Sequence, residues 1–551
     1  MLSLMKMMTS VGSQHAFYTT PSYKETVQVL NSLQSNASYI QKFNKAQVSP
    51  LTKLQDMDKL LLRSGITPKE LDSLSVIHVA GTKGKGSTCA FTEAILRRHG
   101  FNTGFYSSPH LISVRERIRI NGEPLNEFLF TKFFWKVYNE LYSKKDNEED
   151  MPPYFKFLTV LMFHVFVETN VDVAIIEVGI GGEYDCTNVV RNPVCVGITS
   201  LGLDHTKMLG DTLESIAYEK SGIFKPNTQA FTVPQPENAM KILVNRAIER
   251  NCKLNVVRSL ENYPWKNELP NLGISCDVQK YNAALAIEMA QTWIRHINKN
   301  KSLLNSNVHL EVRNTSRSNT DTFYELNANQ VIKIDPTYHN FAEHSIKTIQ
   351  NVENLTYHTI RDIFKKPCTL SLEKTAEALS NCKWPGRTQI LYGSCMTFYL
   401  DGAHTIESIA ICCLWFKNAT CHTYGKRFLI FNLTGDRDAV CLLRSLKTLN
   451  FDRTYFVPNI AGSNSTIDQE NYSVPVEQQI IKCHKYCEIW GPNSIVMNNV
   501  SEALNHAKEE SRLEHNFTPE YKTQVLVTGS LHLIGATLAC LDPNLTMTTN
   551  F

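Results

Sequence analysis

The sequence predicts a two-domain α/β protein. The N-terminal domain is a mostly parallel sheet with helices on both faces and a glycine-rich phosphate loop; the C-terminal domain is smaller, Rossmann-like and also α/β. Three observations carry this expectation. Between about Val76 and Lys225, short β-branched runs alternate with stretches of helical length, the pattern of parallel strands joined by crossover helices. A glycine-rich string, Gly81 to Thr88, stands between one such run and one such helix. After Trp384-Pro385-Gly386-Arg387 a second alternating series begins. At 551 residues the chain also exceeds one ordinary domain. A boundary near Lys383 divides it into residues 1–382 and 383–551, with a polar insertion or linker over about 298–366.

In chain order, Val76 to Ala80 is a strand-like run that ends at glycine. Cys89 to His99 reads as a helix, closed by the basic pair Arg97 and Arg98 and then by Gly100. Tyr154 to Glu168 reads as a largely buried helix, and Val171 to Val178 as a strand bounded by Gly179-Ile180-Gly181-Gly182. Val194 to Thr199 is another strand, and Ala283 to Trp293 another helix. From Asn298 to Lys366 the chain is rich in Asn, Ser, Thr and Lys with weak periodicity. Order resumes at Leu370, with Leu372, Ala376 and Leu379 on one helical face. The later strands are Thr397–Leu400, Phe428–Leu433, Thr454–Val457 and Val525–Thr528.

Composition narrows the function classes. An apolar fraction of 42% with 20% charged residues is that of a soluble globular chain. A net charge of +3 gives no field for nucleic acid or an anionic membrane. No apolar run reaches the length of about 18–20 residues that spans a bilayer. The 15 cysteines are scattered and form no CxxC pair, so free thiols in a reducing compartment are expected. Cys483 and Cys487 bracket His484 without a second ligand pair, so they read as thiols rather than zinc ligands. The first twenty residues carry Lys6 and methionines at 1, 5, 7 and 8 but no Arg. A cytoplasmic protein with a disordered tail is expected, against the alternative of a leader and a mitochondrial form.

The chemistry begins at Gly81-Thr82-Lys83-Gly84-Lys85-Gly86-Ser87-Thr88. Glycines let backbone N–H groups turn inward, and the helix N-terminus adds a partial positive charge, so the string suits a phosphate. Lys85 would neutralise terminal phosphates, and Ser87 or Thr88 could reach Mg²⁺. The competing reading is a glycine turn with exposed lysines. A magnesium nucleotide also needs hard oxygen ligands from other strand ends. Glu177 ends an apolar strand just before a glycine turn, where open α/β sheets bind ligands. Taken singly it is equally an ordinary solvated acid, His205 is an ordinary loop histidine, and Ser108 before Pro109 is a turn.

Their order together carries a resemblance. The Ala80–Thr88 string resembles the nucleotide loop of the Mur ligase superfamily. Within it, Tyr106-Ser107-Ser108-Pro109-His110-Leu111 through Arg115-Glu116-Arg117-Ile118 is similar to the loop of folylpolyglutamate synthases. Glu177-Val178-Gly179-Ile180-Gly181-Gly182 with Asp185, Thr187 and Asn188 resembles the next block of that family. Leu203-Asp204-His205 and Ile216 to Ile223 resemble the following one, and Trp384–Arg387, Leu400–His404 and Gly435-Asp436-Arg437 resemble second-domain blocks.

The resemblance implies ATP and Mg²⁺ (two ions), with a monovalent cation as a further candidate. Ser108, Glu177 and His205 would be metal ligands, with Ser87 beside the phosphates. Gly81, Thr82, Gly84, Lys85, Gly86, Ser87, Thr88, Asn282, Arg387 and Asp401 would bind ATP. Lys220 resembles a lysine that is carbamylated in related ligases; the alternative is that it binds phosphate or pairs with Glu219. Lys85, Lys220 and His404 would be catalytic, with His404 near the incoming glutamate. Gln279 and Asn282, just before the Ala283–Trp293 helix, resemble the adenine-side block. The implied reaction adds L-glutamate to the γ-carboxylate of tetrahydrofolate and its polyglutamates through an acyl phosphate. Dihydrofolate synthase, alone or combined, uses the same activation and is the alternative; a non-ligating NTPase ranks lower. The expected partners are small molecules only, and the expected state is a monomer.

Overall fold

The computed structural model describes residues 21–33, 50–147, 150–266, 268–307, 322–326, 330–334, 369–434, 437–462, 475–515 and 521–551. The N-terminal leader question, Gly435-Asp436 and most of the polar insertion lie outside the described residues.

The first sheet has eight strands: β1 (Val76–Ala80), β2 (Thr103–Tyr106), β3 (Ile118–Ile120), β4 (Glu123–Pro124), β5 (Val173–Glu177), β6 (Cys195–Ile198), β7 (Gln229–Thr232) and β8 (Lys253–Val256). Their order is β4-β3-β2-β5-β1-β6-β7-β8. From β2 to β8 all neighbours are parallel, and β3 and β4 are added antiparallel at one edge. Central β1 and β5 are fully buried because both faces are covered, and they are apolar but for the buried His78 of β1 and Glu177 at the end of β5. The register pairs Val79 with Glu177 and Ala80 with Ile198. The carboxyl ends of β1, β5 and β6 are therefore level, and the segments leaving them open onto one edge.

The helix after β1 starts at Lys85, one turn earlier than expected from Cys89, and ends at Arg98. The Tyr154–Glu168 helix has the expected limits and is buried along most of its length. The expected Ala283–Trp293 helix is far longer, Val278–Asn307. Asn298 to Asn307 contains neither Gly nor Pro, so nothing local stops the helix where the sequence turns polar. Gln279 and Asn282 consequently lie inside its first turns, not before it. Within the polar stretch β9 (Thr322–Leu326) and β10 (Gln330–Ile334) pair antiparallel.

The second sheet comprises β11 (Gln389–Tyr392), β12 (Met396–Asp401), β13 (Arg427–Phe431), β14 (Arg453–Phe456), β15 (Ser494–Val496) and β16 (Thr523–Thr528), in the order β11-β12-β16-β13-β14-β15. Only the β11–β12 pair is antiparallel. The α/β architecture with two mixed sheets and flanking helices is thus the one the alternating pattern predicts.

One packing feature joins the halves. Within the first, the Leu372–Asn381 helix sets Ala378 and Leu379 into the same apolar cluster as Phe91, Ile95 and Trp293. Leu111 and Ile112, from the loop after β2, cross to the second half and enter the cluster built by Leu533 and Ile534 of the Leu531–Leu541 helix. Gly535 permits that approach, because a Cβ there would lie 1.9 Å from the Leu111 carbonyl oxygen.

All fourteen cysteines among the described residues are free thiols. Cys483 is buried in the Val476–Trp490 helix, and no group of three or more His, Cys, Asp or Glu side chains placed to hold a metal ion forms among the described residues. Among them, too, no helix is long and apolar enough to cross a membrane.

Candidate active site

The glycine-rich loop leaves β1 and turns into the Lys85–Arg98 helix through Gly84, the N-cap, at φ 90°. That left-handed conformation suits glycine, and a Cβ would strike Asn282 Oδ1 at 2.3 Å. No side chain caps the helix, so its first N–H groups remain for an anion. The backbone N–H groups of Thr82 and Lys83 donate to the Ser200 carbonyl at 3.0 and 3.1 Å, pinning the loop to the end of β6. Lys85 forms no hydrogen bond or ion pair among the described residues, leaving its ammonium for a ligand. The buried Thr88 Oγ1 also lacks a partner.

Glu177 is 5% exposed at the end of β5 and accepts a 3.2 Å bond from the Ser108 backbone N–H. Burial raises its carboxyl above the usual range, against the nearby positive charges of Lys85 and Arg387. A Cβ on Gly86 would come within 3.4 Å of Glu177 Oε2 and 3.2 Å of Trp384 Nε1, so loop, acid and indole converge. Together with Ser108, Arg119 and Arg387 they line one cleft between the two halves.

A second cluster crosses the same divide. Lys83 Nζ donates to Asp204 Oδ2 at 3.0 Å and lies 3.1 Å from His404 Nε2. His404 Nδ1 is 2.8 Å from the Gly402 carbonyl oxygen, so that nitrogen carries hydrogen, and Nε2 faces both Lys83 Nζ and, at 3.6 Å, Asp204 Oδ2. Arg437 Nη2 donates to Asp204 Oδ1 at 3.3 Å. Burial would raise the Asp204 carboxyl, but His404, Lys83 and His205 hold it well below the usual carboxylate range. Burial lowers both His404 and Lys83 from their ordinary values.

Asp401 ends β12 with its oxygens taken at 2.9 Å by the backbone N–H groups of Thr388 and Ala403. It thereby holds the turns that carry Arg387 and His404. Lys220 ends the Leu213–Lys220 helix beneath the glycine turn, where a Cβ on Gly182 would meet the Lys220 carbonyl at 2.7 Å. Burial, with Lys85 nearby, brings its amine down to about 7.

The Mur ligase middle domain family matches residues 79–290. The mitochondrial folylpolyglutamate synthase of Cricetulus griseus is 37% identical over 95% of this chain and 92% of its own length. That of Homo sapiens is 36% identical with the same coverage. The chain belongs to the folylpolyglutamate synthase family. In three dimensions it is similar to Mycobacterium tuberculosis folylpolyglutamate synthase complexed with ADP and AMPPCP, at a TM-score of 0.64 and 20% identity over 94% of this chain and 97% of that one. Escherichia coli FolC in complex with DHPP and ADP matches at 0.62 and 21%, over 95% and 98%.

Within this folylpolyglutamate synthase fold, the structure gathers Gly86, Ser108, Glu177 and Arg387 at one cleft. His205 follows on the β6 loop at φ 54°, and its backbone N–H donates to Asp204 Oδ1 at 3.0 Å. Asn282 sits against the phosphate loop at Gly84, bonded to Gln279 at 2.8 Å. Sequence reasoning missed Lys83, which stands before the Gly84 turn and faces the second half, and gave Asp204 no role. The signal was present in the two lysines flanking one glycine and in an acid preceding His205. Nothing local distinguishes a lysine aimed at a ligand from one tied to a carboxylate.

Proposed function

We propose that this chain uses ATP to add L-glutamate to the γ-carboxylate of tetrahydrofolate and its polyglutamates. The observation that carries the reading is the meeting, at the carboxyl ends of β1 and β5, of an uncapped helix N-terminus, an unpaired Lys85 and the buried Glu177, with Arg387 facing them from the second half. The names of the relatives, and the complexes of the related structures with adenine nucleotides and folate, support the substrate assignment.

A carboxylate is a poor acyl donor because its leaving group would be oxide. Transfer of the γ-phosphoryl group onto it gives an acyl phosphate, and the glutamate amine then displaces phosphate. The protein's task is positioning and charge stabilisation. The helix N–H groups and Lys85 would hold the β- and γ-phosphates, and Arg387 would approach the same charge as the halves close. His404, held by Gly402 and Lys83, would orient the glutamate amine with Asp204 and Arg437.

The residues present suit magnesium. Glu177 is a buried acid with a single backbone N–H donor, Thr88 Oγ1 is buried without a partner, and all candidate donors but His205 are hard oxygens. Ser87, Ser108, Glu177 and His205 would hold two ions, which when bound supply countercharge to the triphosphate. An amine near 7 leaves Lys220 partly neutral, the form that reacts with CO₂, which favours the carbamate over a phosphate contact. The named compartment of the relatives supports a mitochondrial form.

The test supplies purified protein with MgATP, labelled glutamate and either tetrahydrofolate or dihydropteroate. Label on tetrahydrofolate alone is expected. Label on dihydropteroate would turn the assignment to dihydrofolate synthase, and ATP hydrolysis without amide formation would overturn ligation.

A further inference from the structure

Arg119 stands on β3 with its guanidinium in the cleft between the halves. Its carbon Cζ lies 5.1 Å from the Trp384 ring centroid, and Trp384 is packed on its other side by Phe105 at 5.3 Å. The same indole reaches Gly86 of the phosphate loop. Arg119 spends two N–H groups on backbone oxygens, Nε on Glu116 at 3.2 Å and Nη1 on Gly122 at 3.4 Å. Among the described residues it has no carboxylate in ion-pair contact.

The acids closest in charge are committed elsewhere. Glu116 accepts the backbone N–H groups of Leu111, Ile112 and Ser113 at 3.1, 2.8 and 2.7 Å. Glu93 holds Arg97 at 2.8 Å and Thr103 Oγ1 at 2.7 Å, and Glu123 faces solvent. A half-buried guanidinium over an indole, with no carboxylate in ion-pair contact among the described residues, suits a planar anion delivered to the cleft. Burial lowers Arg119 from its ordinary value, with the charges of Glu116, Glu93 and Glu123 opposing that shift.

The acceptor supplies such an anion. Every folyl mono- or polyglutamate ends in a glutamyl unit with two carboxylates, of which the γ one is activated beside Gly86 and Glu177. The α one remains charged, a few bonds away in the same cleft. We propose that Arg119 recognises this α-carboxylate, holding it off the phosphoryl group so that the γ-carboxylate is presented. This rests on the ligase reading above and adds a specificity-determining residue to it.

The experiment compares tetrahydrofolate with tetrahydropteroyl-4-aminobutyrate, which keeps the reacting carboxylate but lacks the α one. Both are assayed on the wild type, Arg119→Met and Arg119→Lys, with melting temperatures to establish folding. The wild type is expected to prefer tetrahydrofolate by about 10- to 100-fold in kcat/KM, the worth of one charge-assisted pair. Arg119→Met should abolish that preference by raising KM for tetrahydrofolate, while KM for ATP and the rate on the 4-aminobutyrate analogue stay unchanged. Arg119→Lys should restore part of it. Equal loss on both acceptors, or a shifted KM for ATP, would assign Arg119 to bracing Trp384 and overturn the proposal. So would a wild type that does not discriminate, a result independent of any variant. Failure of the ligase reading looks different, since the wild type would then form no amide on either acceptor.

Discussion

Gly535→Ala tests the tie between the two halves. Gly535 lies inside the Leu531–Leu541 helix, where alanine would ordinarily stabilise by about 1 kcal/mol. Here the new Cβ would meet the Leu111 oxygen at 1.9 Å, its carbonyl carbon at 2.7 Å and its Cα at 3.2 Å, all backbone atoms. A relaxed C···O contact is about 3.3 Å, so loop or helix must retreat by about 1.4 Å. The rotation of a flexible side chain cannot relieve it. Overpacking of this kind costs about 1–3 kcal/mol, which exceeds the propensity gain, so net destabilisation is expected. The displaced loop also carries Ser108, whose N–H is bonded to Glu177. A misplacement near 1 Å can cost about 100-fold in turnover. Urea unfolding and steady-state kinetics with saturating ATP measure the two effects. A variant more stable than wild type, with undiminished kcat, would refute the close approach and the coupling built on it.

Further outcomes follow from the same structure. Lys85→Ala and Glu177→Ala should each lower kcat by at least about 100-fold while circular dichroism and melting temperature stay near wild type; near-normal turnover in either would remove that residue from the site. Asp204→Asn keeps the shape but loses the charge that Lys83 and Arg437 share. It should reduce kcat/KM for glutamate by about 10- to 100-fold with nucleotide affinity, read by titration calorimetry, unchanged. The buried His164 donates or accepts at Ser64 Oγ, 2.9 Å away, and burial lowers it from 6.5 to about 4. Above pH 6.5 both folded and unfolded states leave it neutral; below, the unfolded chain takes the proton first. Stability therefore falls as pH drops from 6.5 towards 4, by about 1.4 kcal/mol per pH unit for a full proton. His164→Gln should flatten unfolding free energy against pH in that window, and an unchanged slope would show that His164 is not buried neutral.

Several elements were legible because local chemistry specifies them. The Tyr154–Glu168 helix and the β5 run Val173–Glu177 are mostly apolar, and a largely apolar segment of a given length has few alternatives. The Gly81–Thr88 loop is readable because Gly84 needs a left-handed φ that other residues resist. The Val278–Asn307 helix was misjudged at both ends. Its start is set by Gln279 and Asn282 docking on the phosphate loop, and its polar end has no breaker. The docking of Leu111 and Ile112 into the second half was not legible either, since two apolar residues in a loop do not reveal whose core they join.

The sequence by itself determined the alternating α/β pattern, the phosphate loop and the residue types that could hold a magnesium nucleotide, because each depends on neighbours within a few positions along the chain. Tertiary structure alone decided which charges are free and which are spent. Lys85 and Lys83 are two residues apart, yet among the described residues one is unpaired while the other is tied to Asp204, 121 positions on, and to His404, 321 positions on. Among the described residues Arg119 makes no ion pair, because the Glu116 oxygens are turned to the backbone N–H groups of Leu111, Ile112 and Ser113. Pairing of charge is a matter of distance in space, and the fold sets that distance.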